Sequence, residues 1–204
     1  MALKFAVNNS LSAITSLPSG ISGGALNLIS TQTASGSATI DFTSGIDSTY
    51  DSYIFKFIDI HPATNRADFV FQADTGTNTN YNQTITTTYF QAYHTETDGA
   101  SLAYNTNHDD AQSTSFSKLS VVQSADADAS TSGYLHIFNP SSTTFVKHFI
   151  ALNQQMAEDG SAIKYSIANY KAGYFNTTTA LTRFRFKISS GNIDDGIIKM
   201  YGVS

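Results

Sequence analysis

Cysteine is absent from this chain. That excludes disulfides, thiol nucleophiles and cysteine-based zinc sites. Tryptophan is absent too, and there are only three prolines. Charge is scarce: acidic and basic residues make up 13% of the 204 positions, about half the usual share of roughly 25%. The balance is acidic, with a net charge of -5, and no basic patch marks a nucleic-acid binder. No stretch approaches the roughly 18 consecutive apolar residues of a membrane span, so membrane insertion is not expected. The first residues, Met1 to Ser10, lack the charged start and long apolar run of a signal peptide. The chain is therefore expected to be made in a cytoplasm. No GxSxG elbow, P-loop or dinucleotide fingerprint occurs, and no HxH or HExxH pattern links the histidines.

What the chain has instead is Ser, Thr, Asn, Gln, Tyr and Phe. There are 14 Phe and 11 Tyr, and the hydrophobic fraction of 41% suffices for a core. Hydroxyl-rich and aromatic residues with few Glu and Lys favour strands. Period-two alternation supports this. Phe184, Phe186 and Ile188 alternate with Arg183, Arg185 and Lys187, an apolar face in and a cationic face out. The turn-forming run 190–196 suggests a hairpin to the last strand, 197–201. The segment 53–60 is apolar on both sides, with Tyr53, Phe55, Phe57 and Asp59 on one and Ile54, Ile58 and Ile60 on the other. That reads as a central strand. Further strands are expected near 26–33, 38–42, 68–73, 84–94, 116–123, 133–138, 145–152 and 163–176. The run 95–115 is the longest expected non-strand stretch. Roughly ten strands with frequent turn signals read as an all-β, antiparallel two-sheet sandwich of jelly-roll type. The domain is expected over 37–204. Residues 1–36, studded with Leu3, Phe5, Val7, Leu11, Ile14 and Leu17 and broken by Pro18 and glycines, read as an extended assembly arm.

The candidate ligand-binding residues are aromatics and ionisable groups around the long loop. They are Tyr81, Tyr93, His94, Glu96, Tyr104, His108 and Asp109. Aromatic rings beside amides and carboxylates are the usual material of sugar binding. Asp126, Asp128, Asp194 and Asp195 lie near turns but lack a calcium-loop pattern, so no metal is assigned. No cofactor is expected, and no catalytic residue stands out.

Several segments together resemble a known group. Ala38 to Tyr50 leads into Tyr53 to Thr64; Phe138-Asn-Pro-Ser-Ser-Thr-Thr-Phe-Val-Lys-His148 follows; Gly173 to Arg183 leads into Phe186 to Gly202. Over about 27–202 this resembles small structural proteins of marine bacteriophages, including cyanophages, found as tail-fibre-like or head-decoration components. The resemblance implies a non-enzymatic virion-surface structural protein made in the host cytoplasm. The partners it implies are other capsid or tail proteins and further copies of the chain, a trimer being one closed form. A host-surface glycan is the partner of the alternative, a receptor-binding module of a tail fibre. No nucleic-acid partner is expected.

Overall fold

The computed structural model describes residues 25–158, 160 and 163–204. The arm residues Leu3, Phe5, Val7, Leu11, Ile14 and Leu17 lie outside the described residues.

The fold is all-β, and every strand pairing is antiparallel. In chain order the strands are β1 (Leu26–Ser37), β2 (Ile40–Phe42), β3 (Ser52–Pro62), β4 (Ala67–Thr75), β5 (Ile85–Thr95) and β6 (Ala100–Tyr104). They continue with β7 (Ser117–Gln123), β8 (Thr131–Phe138), β9 (Lys147–Glu158), β10 (Lys164–Phe175), β11 (Leu181–Ile188) and β12 (Ile193–Val203). One run of neighbours is β1-β12-β3-β8-β9-β10-β5-β6. The other is β7-β4-β11-β2, and the two join where Gln123 of β7 meets Ala157 of β9. The whole is one sheet that nearly closes as a barrel. β1 starts inside the span read as the arm and pairs with β12 along its length.

The core fills with rings. Phe186 of β11 lies 5.1 Å from Phe55 and 5.3 Å from Phe57, both on β3, and 6.0 Å from both Phe42 and Phe69. Many of these contacts are edge-to-face, the arrangement favoured by ring quadrupoles. Because β3 and β11 are not hydrogen-bonded neighbours, these rings hold one run of strands against the other.

Three sequence expectations change. The run 190–196 does not close a hairpin. β11 pairs with β4 and β2, whereas β12 pairs with β1 and β3. The connection is an arch between the two runs of strands, and both Ile188 and Ile193 are buried in the core. Second, Asp59 takes a left-handed φ of 51° and the β3–β8 register shifts between Phe57 and Ile60. This bulge turns Ile60 inward and leaves Ile58 and Asp59 outside. Third, β6 is a strand within the stretch read as non-strand.

The seam beside β7 is closed by side chains. β7 has β4 on one side and meets β9 at a single residue pair on the other. The Asn153 Nδ2 of β9 donates to Leu119 O at 3.3 Å, and Gln155 Nε2 donates to Val121 O. Asn169 Nδ2 of β10 donates to Gln155 Oε1 at 3.1 Å, and Tyr89 Oη of β5 donates to Asn169 Oδ1. Buried amides here supply the donors that a neighbouring backbone supplies elsewhere.

Candidate functional site

The structure does not gather the seven candidate residues into one site. Tyr81 is buried at 2% exposure, with Arg185 stacked 4.1 Å over its ring. It offers no ring face to a ligand, because the guanidinium, forked onto Asp41 at 2.8 and 2.6 Å, already covers it. His94 and Glu96 line a hollow of about 350 Å³ with Gln154, Met156, Lys164 and Tyr165. His94 Nε2 is also 3.4 Å from Asp98 Oδ1. Tyr93 packs beside Tyr165 with ring centres 5.8 Å apart. Tyr104 and Asp109 meet at the far end of β6, where the phenol donates to Asp109 Oδ2 at 2.6 Å. That bond holds the phenol proton in place and raises the Tyr104 pKa above its ordinary value.

His108 belongs to a different cluster. Lys171 of β10 reaches inward with its side chain 1% exposed. Its ammonium donates to Asp110 Oδ2 at 2.8 Å, Ser117 Oγ at 2.6 Å and His108 O at 3.1 Å. Asp110 Oδ2 also accepts from Thr87 Oγ1 at 3.0 Å and Ser117 Oγ at 2.6 Å. Three donors and three acceptors satisfy the ammonium. Burial pulls the Lys171 pKa down, and Asp110 opposes that. Burial, with Lys118 beside it, also lowers the His108 pKa. The cluster pins the 105–116 loop onto the barrel. It has the form of a structural ion pair.

The acidic turns do converge. Asp59, His61, Asp128, Asp194 and Asp195 line a shallow hollow at one end of the barrel. His61 Nδ1 lies 2.7 Å from Ala129 O. Among the described residues no group of three such side chains is spaced to hold a metal ion.

A further feature lies on the outer face. Cross-strand register sets Lys56, Tyr134, Leu152, Tyr170, Phe90 and Tyr104 in one row across the outer face. The adjacent row runs Tyr201, Ile54, His136, Ile150, Ala172 and Thr88. Ile150 is 48% exposed and Phe90 42%. Phe90, Tyr134, Ile150, Leu152, Tyr170 and Ala172 border a cleft of about 200 Å³. Phe90 and Tyr170 stack face to face at 4.7 Å and 6°. Each ring covers one face of the other. The cleft is lined mostly by apolar side chains. Part of the signal is the doubled apolar pattern of β3, which reads equally well as burial on both sides.

No family model, curated protein or solved structure matches the chain.

Proposed function

We propose that this chain is a non-enzymatic structural protein of a bacteriophage virion surface, a head decoration or short fibre component. It assembles with its own copies through its N-terminal arm and sits against capsid or tail proteins. The observation that supports an assembly role is the pair of apolar rows on the outer face. Contiguous exposed apolar surface of this kind marks interaction sites. The same reading takes the fold as a two-layer jelly-roll sandwich, with the β3 rings facing those of β11 as its support.

The test is sedimentation of the full-length chain beside residues 25–204, cut there so that β1 stays in the sheet. A closed oligomer for the first, and a folded domain that has lost that oligomer for the second, is expected. Two monomers would overturn assembly through the arm. The second reading, a glycan-binding module of a tail fibre, is favoured by the hollow that holds His94 and Glu96. Adsorption to host polysaccharide that is lost in Glu96→Ala would put it first.

A further inference from the structure

β6 is an open edge. It pairs with β5 alone, and all five of its residues are exposed, Leu102 at 73%. Backbone bonds at the ends of the β5–β6 pair set the phase. Thr95 N–H donates to Gly99 O at 2.7 Å, and Asn105 N–H donates to Tyr89 O at 3.0 Å. Antiparallel ladders alternate, so residues 99, 101, 103 and 105 turn their polar backbone toward β5. Ala100, Leu102 and Tyr104 turn theirs away. Among the described residues those outward groups meet no partner.

Natural edges are blunted by proline, lysine, bulges or a covering loop. β6 reads Ala-Ser-Leu-Ala-Tyr, with no charge and no proline, and its register with β5 has no shift. Its outward side chains are also complementary to themselves. A two-fold axis through Leu102 sets Leu102 against Leu102 and each Ala100 against a Tyr104 of the other copy, small against large. Ala100, Leu102 and Tyr104 share the outer face with Phe90, so the pairing would carry the aromatic row on into the second copy.

The geometry points to β6 as a self-recognition edge: two copies pair antiparallel through β6, centred on Leu102. The pairing uses residues 100–104 and is independent of the arm proposed above. Three facing residue pairs exchange about six backbone hydrogen bonds. A strand pair this short buries little surface, and a virion that holds copies side by side strengthens it through local concentration. The pairing brings the Asp98 turn of one copy toward the Tyr104–Asp109 pair of the other. Like charges meet there, so added salt tightens the association.

Because the chain lacks cysteine, the register can be read directly by cross-linking the full-length protein. Facing residues in a hydrogen-bonded pair have Cα atoms about 5.5 Å apart, within disulfide range. Ala100 would lie about 14 Å from its own counterpart, four residues along the strand. Under mild oxidation Leu102→Cys is expected to give a covalent dimer. Ala100→Cys alone and Tyr104→Cys alone should give no covalent dimer, and their equimolar mixture should cross-link. Leu102→Lys, at an exposed position, should keep its melting temperature and lose the association that residues 25–204 show without the arm. Failure of Leu102→Cys to cross-link, or equal cross-linking at all three positions, overturns the inference. An oligomer that survives Leu102→Lys but vanishes without residues 1–24 overturns it too, and leaves arm assembly standing. Cross-linking in register with an oligomer indifferent to the arm does the reverse.

Discussion

Asp110 Oδ2 lies 2.8 Å from the ammonium of Lys171, and the pair joins a loop after β6 to the inner face of β10. Neither partner has water to fall back on, since the side chains are 12% and 1% exposed. Removing one leaves the other charged, buried and unpaired. Asp110→Ala is therefore expected to cost about 3–5 kcal/mol of unfolding free energy in urea. Lys171→Met with Asp110→Leu together should cost much less than the sum of the single changes. Additive costs would mean that the two residues act separately.

The amide relay from Tyr89 through Asn169 and Gln155 to Val121 O gives a second expectation. Gln155→Leu keeps the bulk, leaves the Val121 carbonyl without its donor and leaves the Asn169 amide only its longer bond to Asn153 O at 3.4 Å. A loss of about 1–3 kcal/mol follows. Tyr89→Phe removes only the terminal donor, and about 1 kcal/mol is expected. Equal losses for the two variants would show that the relay is not what closes the seam.

Two glycines hold close approaches. A Cβ on Gly133 would sit 2.3 Å from Leu152 O and 2.4 Å from Asn153 Oδ1. A Cβ on Gly202 would fall 2.2 Å from the Tyr50 ring. Gly133→Ala presses on backbone that cannot yield, and about 1–3 kcal/mol of destabilisation is expected. Gly202→Ala presses on a side chain, so Tyr50→Ala should relieve it. A double-mutant cycle checks this by its coupling energy.

Acid should loosen the fold in two stages. Burial lowers the pKa of His108 and of His136 below the ordinary 6.5. As pH falls from about 6.5 through those lowered values, the unfolded chain takes up protons that the folded chain refuses, so stability falls. The melting temperature should be lower at pH 5 than at pH 7.5, and His108→Gln with His136→Gln should flatten that slope. Glu158, held down by hydrogen bonds from Lys164 and Asn65, acts in a lower window. Its contribution is present above 4.5 and is lost as pH falls through its depressed folded value. An unchanged slope in the double variant would assign the acid response elsewhere.

Strand positions were readable wherever one side chain in two was apolar, as in Phe184, Phe186 and Ile188. The pairing of strands was not. The run 190–196 has ordinary turn chemistry, and turn chemistry is local. It cannot tell a hairpin from an arch between the two runs of strands. The bulge at Asp59 also escaped, because one residue in a left-handed conformation reverses the faces of all that follow. β6 was missed since a strand exposed on both sides shows no alternation. Nothing local records that Arg185, more than a hundred residues after Tyr81, covers its ring. Of the candidate site, only the Tyr104–Asp109 contact and the shared hollow of His94 and Glu96 joined candidate residues to one another. The apolar rows of the outer face come from seven strands, and no single stretch of sequence contains them.

The seam at β7 gives the molecule an unusual hinge line. A backbone ladder parts only when a whole strand moves. Here a rotamer change in Asn153 or Gln155 releases Leu119 O or Val121 O, and each flanking ladder stays whole. Along this line the barrel is latched, and elsewhere it is welded. Its slow breathing should run along β7, with β9 and β4 as fixed jambs, so that the interior opens at one side without loss of the shape presented to neighbours.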